Sequence, residues 1–136
     1  MSKNPKKDTA LRHFSRYIRI RDALKTTGSK THAKCITCGA VQRIEDMDAG
    51  HALAGRNNAI LFSEDLCHAQ CRICNRFHGG MREEYQAILI AEHGPGKWEE
   101  WEALKHAHVK FAQADYEELA AKYRQKTKEL MARSDE

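Results

Sequence analysis

Four cysteines form two Cys-x-x-Cys pairs, a pattern typical of a bound zinc ion. Cys35 and Cys38 make the first pair, Cys71 and Cys74 the second, and 32 residues separate them. Each turn of this kind directs two sulfur atoms to one point while its backbone N–H groups offset the thiolate charge, so two turns supply tetrahedral ligands. One pair alone would also fit a redox dithiol, but two matched pairs favour structural zinc. The fifth cysteine, Cys67, is expected to be a buried, small apolar residue.

A candidate general base and a candidate ligand for a second metal ion accompany these cysteines. His51 lies on an expected strand between the two pairs, and Asn75 directly follows Cys74, where we expect a helix to begin. A neutral imidazole can accept a proton from water near neutral pH, and an amide oxygen suits a hard ion such as Mg²⁺ or Mn²⁺. One base and one bound ion are sufficient for phosphodiester hydrolysis.

The joint pattern resembles the HNH, or ββα-metal, endonucleases, and within them the NinG (Rap) family of phage recombination proteins. The run from Cys71 to Asn75 is also similar to the phage enzyme endonuclease VII. The resemblance covers about residues 17 to 90 and is carried by Ile20-Arg21-Asp22-Ala23, Cys35 to Gly39, Asp48 to His51, His68-x-Gln70-Cys71-x-x-Cys74-Asn75, and Gly80 followed by Tyr85. It implies a metal-dependent nuclease that acts on branched DNA such as displaced-strand or Holliday junctions, with His51 as general base and Asn75 as metal ligand.

Three further residues have more than one interpretation. Many HNH enzymes carry a metal-binding aspartate immediately before the base, whereas this chain has Gly50 there and Asp48 further back, so Asp48 is a second metal ligand or an orienting residue. His78 follows Asn75 by about one helical turn and either reaches the ion or scissile phosphate, or is an exposed helix residue. His68 is expected to hydrogen-bond the zinc loop.

The charge distribution favours a polyanionic partner at the N-terminal end. Residues 1 to 34 contain ten Lys or Arg and two acidic residues, whereas the chain from Arg82 onward has nine basic and twelve acidic residues. DNA is therefore the expected partner, without a small-molecule substrate, although a solvated basic helix would have the same composition. The candidate phosphate contacts are Arg12, Arg16, Arg19, Arg56, Arg72 and Arg76.

Hydrophobic periodicity predicts one α+β domain over residues 1–136. Residues 1–7 are expected to be a disordered basic arm. Residues 8–34 are expected to comprise a basic helix, capped by Asp8 and ending near Gly28, and a flexible connector over residues 26–34. The resemblance implies a zinc-bound ββα-metal (HNH) core over residues 35–80, and the residue pattern predicts short strands over residues 40–44, 47–53 and 60–66. Residues 81–136 are expected to be helical, over about 80–93, 97–110 and 113–133.

The composition limits the remaining possibilities. A chain of 136 residues buries only a modest core and benefits from a bound metal, and it contains no apolar run that would suit a membrane span or a secretory signal. The expected location is the cytoplasm of a bacterial host, with a phage or prophage gene. The stripes that contain Trp98, Trp101, Tyr116 and Tyr123 are expected to serve packing, and in a homodimer, which a symmetric junction would favour, they would supply the interface. A non-catalytic zinc module that binds DNA or a recombination partner is the alternative function, and an RNA-directed nuclease also stays open.

Overall fold

The computed structural model describes residues 3–54 and 58–133 and has the expected α+β composition. The helices in these ranges are α1 (Pro5–Thr27), α2 (Asn58–Leu61), α3 (Arg82–His93), α4 (Pro95–Leu104) and α5 (Gln113–Met131). The strands are β1 (His32–Lys34), β2 (Val41–Arg43), β3 (Met47–His51) and β4 (Cys67–Cys71). Every helix in the described ranges is too short or too polar to cross a membrane.

The strands form two antiparallel hairpins that bring the two cysteine pairs together. In the first hairpin, β1 and β2 flank the turn that contains the first pair. In the second hairpin, Met47 lies opposite Cys71 and His51 lies opposite Cys67, so β3 and β4 pair over their whole length. The long connection between β3 and β4 includes α2. As a result, β4 ends at the second cysteine pair, and His51 lies at the opposite end of this hairpin.

Helix α1 starts earlier than the sequence predicted. Pro5 is its first residue, and the Asn4 side chain accepts a hydrogen bond from the Lys7 backbone N–H at 3.1 Å. Proline suits the first helical position and asparagine is a strong N-cap, so this signal prevails over Asp8. The predicted arm over residues 1–7 is therefore wrong from Pro5 onward, while residues 1–2 lie outside the described residues. The helix ends at Thr27, and Gly28 follows in a left-handed conformation with φ 77°.

Helix α1 lies against α5 on one side and against β1, β3 and β4 on the other. Its buried Phe14 contacts Tyr123 of α5 with ring centroids 4.8 Å apart. A second cluster joins α3 and α4 to the connection between β3 and β4. The aromatic residues expected to form a dimer interface are buried within the single chain, at most 5% exposed: Trp98, Trp101, Tyr116 and Tyr123. This burial agrees with the interpretation that the stripes serve packing within the chain.

Two neighbouring residues near the middle of α1 attach this helix to β4. Arg21 donates to the carbonyl oxygens of Glu64 (2.9 Å) and Cys67 (2.8 Å) and to the Asp22 carboxylate (2.9 Å). Asp22 is 4% exposed and accepts a hydrogen bond from the Ala69 backbone N–H at 2.7 Å. A buried carboxylate needs such partners, because desolvation of an unpaired charge is costly. These bonds give the Ile20–Ala23 motif a structural role.

Several predicted elements differ from the structure for identifiable reasons. Residues 60–66, predicted to be a strand, contain the end of α2 and a 3₁₀ turn, Glu64–Leu66. The strand is β4, which has no β-branched residue and forms because all five of its residues are buried and paired. The predicted helix at Asn75 is a single π-helical turn, Ile73–Phe77, after which glycines at 79 and 80 with positive φ redirect the chain. The fourth helix ends at Leu104 rather than near residue 110.

Candidate functional site

The four paired cysteines converge on one point. Their sulfur atoms all lie within 4.8 Å of one another, and the Cys38 and Cys71 sulfurs are 3.7 Å apart. Zinc–sulfur bonds of about 2.3 Å in a tetrahedron place sulfurs roughly 3.8 Å apart, so the cluster fits a structural metal ion such as zinc. All five cysteines of the chain are free thiols. Cys67 stands apart, fully buried as predicted, and burial raises its pKa.

Each cysteine turn contains hydrogen bonds to sulfur, and at Cys35 these bonds favour the thiolate form. The Cys38 N–H points to the Cys35 sulfur at 3.5 Å, and the Cys74 N–H points to the Cys71 sulfur at 3.4 Å. The Thr37 hydroxyl lies 3.4 Å from the Cys35 sulfur. Burial raises the pKa of Cys35, but the bonds from Thr37 and from backbone N–H groups outweigh it and lower the pKa to about 6. This lower pKa favours the thiolate form of Cys35, which is the form that binds a metal ion.

A buried glutamine links the cysteine cluster to the strand of the candidate base. Gln70 is fully buried on β4, and its Nε2 donates to the Thr37 hydroxyl (3.1 Å) and to the Gly80 carbonyl (2.9 Å). Across the hairpin, a Cβ at Gly50 would collide with the Gln70 side chain. This close approach leaves no space for a side chain at residue 50, which explains why a glycine precedes His51.

The imidazole of His51 is held by a backbone carbonyl. Its Nε2 lies 2.9 Å from the Leu61 carbonyl oxygen, and its ring faces Phe14 with centroids 6.5 Å apart. A carbonyl only accepts hydrogen bonds, so this contact assigns the proton of the neutral ring to Nε2 and the lone pair to Nδ1. Nothing in the sequence near residue 61 indicated this role, because the contact uses only backbone.

Asn75 is oriented by a carboxylate. Its Nδ2 donates to Oδ2 of Asp48 at 2.9 Å, while Arg76 makes two bonds of 2.8 Å to both oxygens of the same carboxylate. Partial burial raises the pKa of Asp48, but the bonds from Arg76 and Asn75 outweigh it, so the pKa lies below its usual range. Because the amide nitrogen of Asn75 is committed to Asp48, its oxygen is the atom left to bind a ligand.

His51 and Asn75 line the same cavity, of about 370 Å³. Arg82 lines it too, with Nη1 3.3 Å from the Ala52 carbonyl, and no ion pair involves Arg82 among the described residues. Sequence reasoning missed Arg82, since beside Glu83 and Glu84 it resembles an ordinary first-turn helix residue. An imidazole, an amide group and a guanidinium thus line one cavity.

Asp48 lines a second, adjoining cavity. It has a volume of about 530 Å³ and shares Ser15, Ala49 and Asn75 with the first, so the two form a continuous groove along α1. Arg19, Arg72 and Arg76 also line this second cavity, together with Glu45. The groove therefore has a basic part next to the candidate base, which suits an anionic ligand.

Two of the candidate histidines lie elsewhere. His78 follows the π-helical turn, is exposed, and stays outside the described lining of both cavities, which agrees with its interpretation as an exposed residue. His68 was expected to hydrogen-bond the zinc loop, but its Nδ1 lies 3.2 Å from the Tyr85 hydroxyl instead. Tyr85 in turn donates to the Gly50 carbonyl at 2.7 Å. His68 therefore helps to hold the end of β3 next to His51.

The candidate phosphate contacts fall into different groups. Arg12 and Arg16 are exposed on α1. Arg19 instead donates to the Ile44 carbonyl at 2.7 Å and to Ser15, which gives it a structural role. Arg72 is exposed and donates to the Glu45 carbonyl at 2.8 Å, and Arg76 pairs with Asp48. Arg56 lies outside the described residues.

These features define a small α+β protein with a cluster of four cysteines that could hold a metal ion, next to a groove that contains a histidine and an asparagine. The family model described as Bacteriophage Lambda NinG protein matches residues 2–133. The chain belongs to this family. The resemblance inferred from the sequence motifs is thereby confirmed at the level of the NinG family.

Three curated relatives extend this finding. Protein ninG of Salmonella phage P22 is 30% identical over 97 residues, that of Escherichia phage 933W is 31% identical, and that of Escherichia phage lambda is 30% identical. Each alignment covers 71% of this chain and 47% of the relative. The chain therefore spans about half the length of the curated relatives it matches. No solved structure matches the chain.

Proposed function

We propose that this chain is a metal-dependent DNA endonuclease with an HNH (ββα-metal) core that hydrolyses phosphodiester bonds in branched recombination intermediates. The observation that carries the proposal is the shared cavity of His51 and Asn75, next to the cysteine cluster. In this proposal the hairpin β3–β4 serves as the strands of that core, and the π-helical turn that follows it serves as the metal helix.

His51 acts as the general base. With its proton on Nε2 and bound to the Leu61 carbonyl, the ring takes the proton of the attacking water at Nδ1. The water oxygen forms a bond to phosphorus, and the bond from phosphorus to the 3′ oxygen breaks. The Leu61 carbonyl stabilises the imidazolium that results, because it remains an acceptor for the charged ring.

The residues present fit a hydrated Mg²⁺ or Mn²⁺ ion. Asn75 supplies one amide oxygen, and Mg²⁺ prefers oxygen ligands and keeps several of its waters, so one protein ligand and the phosphate suffice. Such an ion would offset negative charge on the phosphate and on the leaving oxygen. The carboxylate of Asp48 already binds Arg76 and Asn75, so it serves to orient Asn75 rather than to bind the ion.

Arg82 contacts the scissile phosphate in this proposal. It lines the cavity, is exposed, and is anchored through the Ala52 carbonyl at 3.3 Å. A guanidinium suits phosphate oxygens because its planar donors match their geometry. Its positive charge also balances the charge that builds on the phosphate during hydrolysis.

A cleavage panel tests the proposal. Linear, displaced-strand, forked and four-way DNA, with a single-stranded RNA as a further probe, are incubated with the zinc-loaded chain and Mg²⁺, Mn²⁺ or no added metal. We expect metal-dependent cleavage of branched DNA. The variant His51→Ala should lose about 10²- to 10⁴-fold of the rate, since that is the usual contribution of a general base.

A matched control distinguishes loss of chemistry from loss of fold. His78→Ala changes an exposed histidine near the same turn but outside the described cavity lining, and its cleavage rate should stay within about twofold of the wild type. Both variants should keep their melting temperature and their DNA affinity. Cleavage by His51→Ala at the wild-type rate, or no cleavage of any probe by the zinc-loaded wild type, would refute the endonuclease assignment.

A further inference from the structure

The turn that carries Asn75 also exposes two large apolar side chains. Phe77 is 78% exposed and Ile73 is 57% exposed. In a π-helical turn the hydrogen bond joins residues five apart, here the His78 N–H and the Ile73 carbonyl at 3.0 Å, so residues four apart lie on the same side. Phe77 and Ile73 therefore form one apolar patch, two residues away from the candidate metal ligand.

The same turn presents two arginines beside this patch. Arg72 and Arg76 are also four residues apart and exposed, and both line the basic part of the groove. An aromatic side chain next to guanidinium groups is the combination that binds single-stranded nucleic acid: the cations contact the phosphates, and the ring stacks on a base. The charge around the patch thus favours a polyanion with flat apolar groups.

The size of the patch argues for a nucleobase instead of a protein. A stable protein interface buries roughly 800 Å² on each partner, whereas a phenylalanine buries about 150 to 250 Å². Phe77 with Ile73 is therefore too small to hold a protein partner or a second copy of the chain. It matches the area of one or two stacked bases.

We infer that Phe77, supported by Ile73, stacks on an unpaired base next to the phosphate bound in the groove, and so favours DNA with unpaired bases over intact duplex. In a duplex the base faces are already stacked on their neighbours, and inserting a side chain between them costs unstacking free energy. An unpaired base at a branch offers its face without that cost. This inference rests on the proposed function only for the position of the phosphate in the groove.

Binding measurements in the absence of cleavage test this inference. The zinc-loaded His51→Ala chain, alone and combined with Phe77→Ala or Phe77→Trp, is titrated with a forked DNA and with a duplex of the same length and composition. Loss of one base stack corresponds to about 5- to 150-fold in affinity, so Phe77→Ala should weaken fork binding on the order of tenfold and change duplex binding by less than about twofold. Phe77→Trp should retain the fork preference, because indole also stacks.

A fluorescent base reports stacking directly. The probe is 2-aminopurine at the first unpaired position of the fork. Binding of the chain with Phe77, or of the variant Phe77→Trp, should quench its fluorescence. Binding of the variant Phe77→Ala should quench it much less. The control Met131→Ala removes an exposed apolar side chain at the end of α5, which is 44% exposed, and should leave affinity and quenching unchanged.

The outcomes separate this inference from the endonuclease proposal. Equal weakening of fork and duplex binding by Phe77→Ala, or no change in either, would overturn the stacking role even if the wild type cleaves DNA. Loss of self-association by Phe77→Ala in sedimentation, with fork binding intact, would overturn it in favour of a protein interface. Conversely, Phe77-dependent quenching by a wild type that cleaves no probe would support the stacking role and refute the nuclease.

Discussion

The cysteine cluster and the His51 cavity lie close together but are assembled in different ways. Each half of the cysteine cluster forms within four consecutive residues, with N–H···S bonds inside each turn. The cavity, in contrast, collects side chains from α1, β3, the π-helical turn and α3, and its histidine depends on a carbonyl of α2. The difference indicates that a bound metal would fix the frame locally, whereas the candidate chemistry depends on contacts between distant segments.

The largest expected effect comes from breaking the cysteine cluster. Structural zinc contributes about 10 to 16 kcal/mol in peptide systems, more than a small core can replace. Cys71→Ser should therefore release the metal and unfold the two hairpins, seen as loss of bound zinc and of the cooperative melting transition. Cys67→Ser, at a buried cysteine outside the cluster, is the control and should keep zinc. Normal zinc content in the Cys71→Ser variant would show that the cluster is not the metal site.

The second effect concerns the contact that holds the end of β3. Burial lowers the pKa of His68 to about 4, while an unfolded histidine titrates near 6.5. Between these values the unfolded chain binds a proton that the folded chain does not, so stability falls as the pH drops below about 6.5, by on the order of 3 kcal/mol near pH 4. Urea unfolding at several pH values from about 7 to 5 measures this loss.

His68→Asn is the matched variant, since its amide N–H can replace the Nδ1–H donor to Tyr85 but cannot titrate. With zinc content held equal, it should lose less stability than the wild type over the same pH range. Parallel curves for the two proteins would show that the acid sensitivity comes from another group, such as the cysteine thiolates.

The third effect tests the orientation of Asn75. Asp48→Asn keeps the size of the side chain but removes the charge that binds Arg76. Groups that orient a metal ligand typically contribute about 10- to 100-fold, so the single-turnover cleavage rate should fall in that range with little change in melting temperature. The variant Glu45→Gln, at a neighbouring acidic residue of the groove, should change the rate by less than about twofold. An unchanged rate in Asp48→Asn would contradict the orienting role.

The smallest effect concerns the exposed arginines of α1. Each phosphate contact contributes about 0.9 to the slope of log affinity against log salt on duplex DNA. Arg12→Ala with Arg16→Ala should therefore reduce this slope by roughly one to two and weaken binding most at low salt. Lys97→Ala with Lys128→Ala removes two exposed charges on α4 and α5 and should leave the slope unchanged. If replacing both arginines leaves the slope of log affinity against log salt unchanged, α1 is not part of the DNA interface.

Local sequence determined the features of this protein that depend on neighbouring residues. The cysteine spacing predicted the cluster, because each turn closes over four residues, and helical periodicity predicted most of α1, α3 and α5. The motif residues likewise predicted the NinG family. These signals need no knowledge of how distant segments meet.

Tertiary structure alone decided the contacts between distant segments. Strand β4 lacks β-branched residues and forms because α1, through Asp22, and the partner strand satisfy its backbone. The proton position on His51 is set by the Leu61 carbonyl and the direction of Asn75 by Asp48, 27 residues earlier in the chain. Every residue has a backbone carbonyl, so residue type does not indicate which carbonyl will bind a histidine. Contacts between residues far apart in the chain produce no periodic sequence pattern, so these groups come together in one groove only in the folded chain.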